Sequence, residues 1–187
     1  MRSDNKHVLV LLSGGIDSTA CVDFYLLQNF NVSGLFVNYG QAAAEKELAS
    51  SMNISNWYKI PLQTINCTSL KTWQDGCITG RNAFLLFTGL MNFKHNSGLL
   101  GIGIHAGTNY YDCSEEFIIK TQSIFNDYTD GRIIISAPFI KWSKGGIWEY
   151  CQSKSVPLEL TYSCELGLSQ PCGPGLSCKD LEVLYAS

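Results

Sequence analysis

His7-Val8-Leu9-Val10-Leu11-Leu12-Ser13-Gly14-Gly15-Ile16-Asp17-Ser18-Thr19 is the stretch on which the reading of the fold turns. Its opening, His7 to Leu12, is a short, continuous apolar run rich in Val and Leu, the pattern of a strand covered on both faces in a parallel sheet. Two adjacent glycines and several hydroxyls follow at once. From Asp17 to Gln28 the residues Ala20, Cys21, Phe24 and Leu27 recur at helical spacing. Strand, glycine turn and helix in that order begin a βαβ unit, and a parallel sheet opens its ligand crevice at such a turn. Two glycines let a backbone approach an anion, and the helix that follows offers unpaired N–H groups and the positive end of its dipole. The hydroxyls of Ser13, Ser18 and Thr19 add donors. The turn therefore reads as a phosphate cradle. It is not a Walker loop, since no Gly-Lys-Ser/Thr follows at the required spacing, nor a GxGxxG dinucleotide fingerprint. A plain glycine turn capped by Ser or Asp is the competing reading, and the order of the flanking elements argues against it.

Outward from this unit the alternation continues. Val32 to Tyr39 returns to a β-type run, Ala42 to Met52 is helical by propensity, Trp57 to Leu62 reads as a short strand, and Ala83 to Phe93 as an apolar helix. Gly98 to Ala106 then reads as strand, Ser114 to Phe125 as helix, Arg132 to Phe139 as strand and Lys144 to Ser153 as helix. Five strands separated by helices predict an α/β protein with a doubly wound, five-stranded parallel sheet. Gln63 to Thr79 and Val156 to Cys178 fall outside the rhythm and read as functional loops. The expected organisation is one nucleotide-binding domain over residues 1–155 and a cysteine-rich segment over residues 156–187.

Composition narrows the class of partner. In 187 residues, 45% are hydrophobic and 16% charged, enough for a sizeable core, and thirteen basic against sixteen acidic residues give a net charge of −3. That balance argues against a broad footprint for a nucleic-acid backbone. No apolar run reaches the 18 or so residues of a membrane span, so no membrane is expected and a cytoplasmic setting is. Of the eight cysteines, Cys21, Cys67, Cys77, Cys113 and Cys151 are scattered and read as small buried hydrophobes. Cys164, Cys172 and Cys178 instead fall within fifteen residues near the end.

Further motifs stand in order along the chain: Asn38-Tyr39-Gly40-Gln41, Gly80-Arg81-Asn82, Tyr111-Asp112-Cys113 followed by Glu116-Phe117, Lys144, Thr161-Tyr162-Ser163-Cys164, and Cys172-Gly173 with Cys178. Ser13 to Thr19 resembles the PP-loop of N-type ATP pyrophosphatases. The whole series is similar to the QueC family of 7-cyano-7-deazaguanine synthases, whose blocks read DYGQ, GRN, YPDCxxEF, a lysine, TxSC and CGxCxxC. The resemblance implies an adenine nucleotide alpha hydrolase-like (HUP) fold and a homodimer. It also implies an ATP-dependent ligase that adenylates 7-carboxy-7-deazaguanine, releases pyrophosphate and couples the product to ammonia. Ser13, Gly14, Gly15, Asp17, Ser18, Thr19, Tyr39, Gly40, Gln41, Gly80 and Arg81 are then expected to bind ATP, with Asp17, Arg81 and Lys144 catalytic. Asp17 either caps the first helix or helps to hold Mg²⁺. Tyr111, Asp112, Cys113, Glu116 and Phe117 are expected at the deazaguanine, its carboxylates accepting from the base edge and its aromatic rings stacking. Asp112 and Glu115 also make a passable helix-capping pair. Cys164, Cys172 and Cys178 are expected to bind Zn²⁺.

The sequence departs from the family pattern at several places. Gly175 stands where the third tail cysteine belongs, leaving three ligands where structural zinc takes four. Cys151 or a carboxylate is a candidate for the fourth. Ser114-Glu115 replaces an Arg-Pro pair, Ala42-Ala43 replaces a basic pair, the loop before Cys113 is short, and the arginine usual near the end is missing. A remodelled acceptor site leaves a second reading open. QueC-like proteins of antiviral operons suggest an enzyme that passes an activated deazapurine to an amine of a partner protein. A third reading, a non-catalytic ATP-binding module, has no need of the Asp17, Arg81 and Lys144 set.

Overall fold

The computed structural model describes residues 6–68, 73, 78–108, 110–170, 172–173 and 175–186. Five strands, β1 (His7–Leu11), β2 (Asn31–Asn38), β3 (Leu62–Asn66), β4 (Gly98–Gly101) and β5 (Ile133–Ser136), form one sheet in the order β3-β2-β1-β4-β5. Every pairing is parallel, with Val8 beside Val32 on one side and Leu99 on the other. Helices α1 (Ile16–Leu27), α2 (Ala44–Tyr58), α3 (Arg81–Met91), α4 (Glu115–Thr129) and α5 (Lys144–Ser153) connect and follow the strands, and α6 (Leu176–Ala186) ends the described chain.

The opening strand shows why the sheet is covered twice. Side chains alternate across a strand, so Val8, Val10 and Leu12 enter one core with Ile16, Ala20 and Val22 of α1, Ile54 of α2 and Ile147 of α5. Leu9 and Leu11 enter the other core, with Leu86 of α3 and Phe117 and Phe125 of α4. Both sets are apolar because neither face meets water, which is the doubly wound arrangement expected. The cysteine segment packs on the first core through Val156 and Leu184.

β4 and β5 end earlier than the sequence reading, at Gly101 rather than Ala106 and at Ser136 rather than Phe139, and larger differences lie elsewhere. The strand expected over Trp57 to Leu62 is instead the end of α2, whose Trp57 is exposed, and β3 begins at Leu62. Lys59 closes the helix in the left-handed region at φ 54°, and Pro61 uses only its carbonyl, which accepts from Gly34 N–H at 2.8 Å. β3 is an edge strand with one neighbour, so its polar Gln63 and Asn66 cost little and the apolar run looked for is not needed. Gln63 to Asn66 thus belong to the sheet, and residues 69–72 and 74–77 of the expected loop, Gly76 and Cys77 among them, lie outside the described residues. Within the segment from Val156, a 3₁₀ turn (Leu158–Leu160) and α6 replace a uniform loop. Among the described residues no helix is long and apolar enough to cross a membrane.

Candidate functional site

The glycine turn lies at the carboxyl end of β1, whose neighbours β2 and β4 lead off in opposite directions. Strand order therefore reverses at this point, which is where open parallel sheets bind ligands. Gly14 takes φ +80°, and a Cβ there would stand 2.7 Å from the Glu47 carbonyl oxygen and 2.8 Å from Ser50 Cβ, so only glycine fits. Its carbonyl accepts from Ser50 Oγ at 2.8 Å and from Tyr162 N–H at 2.9 Å, which ties the turn to α2 and to the cysteine segment. On the opposite side the backbone of Gly103 runs against α1. A Cβ at Gly103 would meet Ser18 N at 2.8 Å. The turn is held from three directions before any ligand arrives.

Beyond it opens a cavity of about 280 Å³. Of the expected ATP and catalytic residues, Ser13, Gly15, Asp17, Ser18, Tyr39, Gln41, Arg81 and Lys144 line it. Gly15 is the N-cap of α1 without a side-chain cap, so the first N–H groups of the helix have no intrahelical partner, and Gly15 to Ser18 line the cavity. Asp17 is not the cap. Its carboxylate accepts from Lys144 Nζ at 2.7 and 2.8 Å, a pair that is about one-fifth exposed on each side. The Arg81 guanidinium hydrogen-bonds Tyr39, whose hydroxyl burial holds above its usual range. Gln41 accepts from Tyr39 N–H and donates to Glu47 at 2.8 Å.

Other expected residues do not reach the cavity. Thr19 is fully buried and donates its hydroxyl back to the Gly15 carbonyl at 2.9 Å, so it has no proton left for a phosphate. Gly40 and Gly80 shape the backbone, with φ 92° and 77°, and neither lines the cavity. In the Tyr111 block only Cys113 lines it, with its thiol pushed up by burial. Asp112 accepts from Asn82 N–H at 3.1 Å and so caps α3, while Asn82 Nδ2 donates to the Asp112 carbonyl at 2.9 Å. The cap of α4 is Ser114, which accepts from Phe117 N–H at 3.1 Å, not the Asp112–Glu115 pair. Glu116 projects to solvent and pairs with Lys120 at 2.6 Å, Tyr111 is 55% exposed, and Phe117 is buried in the second core. Asp112, Glu116 and Phe117 thus have other partners in this structure, Phe117 because the Phe117, Thr121, Phe125, Thr129 stripe turns one face of α4 to the core, while Tyr111 stands exposed outside the cavity.

The cavity also contains residues that the sequence did not single out. His105 is buried, and Gly107 N–H donates to its Nδ1 at 3.0 Å, which places the ring hydrogen on Nε2, 3.8 Å from Asp17 Oδ2. Burial lowers its pKa and favours the neutral ring. Glu47 lines the wall with its carboxyl raised, chiefly by burial and partly offset by Gln41 and Arg81. Glu165 and Asp180 complete an acidic rim. A lone histidine at the end of a strand signals such a site only weakly, and a glutamate on an amphipathic helix gives no signal at all. Asp17, Glu47, Glu165 and Asp180 line the cavity with carboxylate oxygens, the donor type that Mg²⁺ takes, but among the described residues no three of them gather into one ligand cluster.

Cys164, Cys172 and Cys178 converge with their sulfurs all within 4.8 Å, and Cys172 and Cys178 stand 3.6 Å apart. Burial raises the Cys164 thiol, yet backbone N–H groups of Leu166, Leu168 and Cys172 and the Cys178 thiol bring it down to about 7. Donors aimed at one sulfur favour the thiolate, the form that binds metal. Cys151 takes no part, for it is fully buried in the first core and its thiol is pushed up to about 12 by burial and by Asp17.

Comparison with known proteins places this geometry. The family model of the queuosine biosynthesis protein QueC matches residues 7–84 and 77–183. A 7-cyano-7-deazaguanine synthase of Prochlorococcus marinus is 28% identical, the match covering 97% of this chain and 94% of that protein. The synthase of that name from Campylobacter jejuni is also 28% identical, over 93% of this chain and 91% of its own. Among solved structures, the U34-tRNA thiolase NcsA of Methanococcus maripaludis, with its [4Fe-4S] cluster, superposes with a TM-score of 0.58 at 18% identity. That match covers 98% of this chain and 66% of the thiolase. NMN synthetase of Francisella tularensis gives 0.53 at 16% identity, over 99% and 79%. At such identities the two structures establish the shared HUP-type fold, whereas the family model, running from β1 into α6, shows that the chain belongs to the QueC family.

Proposed function

We propose that the chain is an ATP-dependent synthase that converts 7-carboxy-7-deazaguanine into the 7-nitrile with ammonia, releasing AMP and pyrophosphate. The observation that carries the proposal is the glycine turn at the reversal of strand order, with Lys144 and Arg81 brought to the same cavity from the far ends of the sheet. Support for the substrate comes from the name of the synthases that match nearly the full chain.

A carboxylate resists a nucleophile because of its charge and because oxide leaves poorly. In adenylation a carboxylate oxygen attacks the α-phosphorus of ATP and pyrophosphate leaves, so that this oxygen now departs as part of AMP; ammonia adds at the carbonyl carbon, loses a proton and expels AMP, giving the amide. A second adenylation, now at the amide oxygen, and loss of AMP give the nitrile, so two ATP are spent per product. In this reading Gly15 and the first N–H groups of α1 receive the leaving pyrophosphate with Ser13 and Ser18. Lys144, resting on Asp17, shifts its ammonium toward the developing phosphate charge, and Arg81 meets it from the other wall. Asp17, released from the lysine, is free for a cation. Mg²⁺, when bound, neutralises phosphate charge there.

The cysteine centre fits a single Zn²⁺. Sulfurs around one tetrahedral zinc stand about 3.8 Å apart, given Zn–S bonds of about 2.3 Å, and the 3.6 Å between Cys172 and Cys178 agrees.

Mass spectrometry of a reaction with ATP, ammonium and 7-carboxy-7-deazaguanine tests the function. Nitrile, AMP and pyrophosphate are expected. Pyrophosphate with product only on an added partner protein would move the same adenylating half to a protein amine. Tight ATP binding without AMP would leave only a nucleotide-binding module.

A further inference from the structure

The three-cysteine centre lacks one ligand, and its surroundings indicate what fills the place. Gly175 stands where a fourth sulfur is expected, and the space beside it is not open: a Cβ there would lie 2.9 Å from Cys172 Sγ and 4.0 Å from Glu165 Oε2. The position of the missing side chain thus faces the sulfur cluster on one side and a carboxylate oxygen on the other. Glu165 follows Cys164 directly in sequence, so a bound metal fixes its backbone as well. Its other oxygen, Oε1, accepts from Ser177 Oγ at 3.0 Å, a bond of the kind that orients a ligating carboxylate and leaves the second oxygen to the metal. Oxygen of Asp or Glu is an accepted zinc ligand at about 2.0–2.2 Å; Glu165 stands outside the group of three sulfurs, and rotation about its side-chain torsions is what would bring Oε2 to the metal.

Among the described residues the other cysteines are placed elsewhere: Cys151 and Cys21 are buried in the first core, Cys113 in the second, and Cys67 is exposed just after β3. Glu165 and Ser177 also line the nucleotide cavity, and Glu165 is close enough to Glu47 and Tyr39 to shift their titration.

Resting on the single-metal reading above, we propose that the Glu165 carboxylate is the fourth ligand of the Cys164–Cys172–Cys178 centre, held by Ser177, and that it makes the metal part of the cavity wall.

The test uses the full chain stripped of metal and reloaded with Co²⁺, with zinc affinity read by chelator competition and folding checked by circular dichroism. The wild type is expected to show the charge-transfer intensity of three Co–S bonds. Glu165→Ala should shift the ligand-field bands and weaken zinc by about tenfold or more, and Ser177→Ala should weaken it less. Gly175→Cys should raise charge-transfer intensity by about one third, in proportion to the added Co–S bond, and should make zinc affinity insensitive to Glu165→Ala. Four-thiolate intensity in the wild type would overturn the proposal, as would bands and affinity that Glu165→Ala leaves unchanged within twofold. In both cases the single-metal reading survives. A folded wild type that takes no Co²⁺ or Zn²⁺, or takes a four-iron cluster instead, overturns that reading and Glu165 with it.

Discussion

Gly14→Ala is the substitution that most directly probes the phosphate grip. Its magnitude can be worked against a matched control, because Gly14 and Gly80 have nearly the same backbone, φ +80° and +77°. An L side chain in that region costs about 1–2 kcal/mol at either position. The surroundings differ. A Cβ at Gly80 meets nothing within 4 Å, whereas at Gly14 it strikes the Glu47 carbonyl at 2.7 Å and Ser50 Cβ at 2.8 Å, backbone and stem atoms of α2 that cannot swing aside. Overpacking of that kind adds about 1–3 kcal/mol. Gly80→Ala is therefore expected to cost about 1–2 kcal/mol and Gly14→Ala about 2–5 kcal/mol in urea unfolding. The relief available to Gly14→Ala is displacement of the turn, which breaks its carbonyl's bonds to Ser50 and Tyr162. ATP affinity should then fall by at least about tenfold in Gly14→Ala and stay within about twofold of wild type in Gly80→Ala. Calorimetric titration of both folded variants with ATP gives the comparison. Equal unfolding costs, or an unchanged ATP affinity in Gly14→Ala, would refute the placement of the phosphates at this turn.

Lys144→Met should cost about 1–3 kcal/mol of unfolding free energy, since it leaves the largely buried Asp17 carboxylate without the bonds at 2.7 and 2.8 Å. Pyrophosphate release should drop by about 100-fold or more, and a rate within tenfold of wild type would remove the lysine from the chemistry. Asp17→Ala should abolish AMP formation with the fold retained, and full turnover would count against its role. Ser50→Ala leaves the carbonyls of Gly14 and Leu160 without their shared hydroxyl, at 2.8 and 2.6 Å, and is expected to cost about 1–3 kcal/mol in denaturant unfolding. Burial raises the folded-state pKa of Glu47 above its unfolded value. The protonated form therefore favours the fold at low pH, and that contribution is lost as pH rises from the ordinary carboxyl range near about 4.3 through the raised value. Glu47→Gln should gain in urea midpoint over wild type as pH rises through that window, and a gap that widens on acidification instead would contradict the direction of the shift.

Much of the fold was legible because it is decided locally. β1, the glycine turn and α1 are contiguous, and burial on both sides writes itself into β1 as an unbroken apolar run. β3 hid because an edge strand has one partner and tolerates polar residues. α6 carries Cys178, Leu181 and Leu184 at helical spacing, but the glycines and proline before it drew the reading toward loop. In the site, Asp17, Arg81 and Lys144 were found through motifs, whereas His105 and Glu47 stand alone in strand and helix contexts whose periodicity does not mark them. In the Tyr111 block two sequence signals compete. Phe117 belongs to a stripe repeated every four residues through Phe125, and that spacing states core packing more firmly than the motif states base stacking.

The cysteine segment is better understood as a wall of the site than as an appendage. Tyr162 donates its N–H to Gly14, Cys164 follows two residues later, Glu165 enters the cavity, and a Cβ on Gly167 would touch the Ala42 carbonyl at 2.6 Å. A run of six residues thus touches the phosphate turn, the sulfur cluster and the start of α2 in succession. Exposed Leu166 and Leu168 offer this run little apolar burial to hold it, so its position rests on hydrogen bonds and on whatever binds the sulfurs. Removing the metal should therefore free Tyr162 before it unfolds the sheet. ATP affinity should fall at a chelator concentration that leaves the far-ultraviolet spectrum unchanged, and loss of both together would show that the metal supports the whole fold rather than the grip on phosphate.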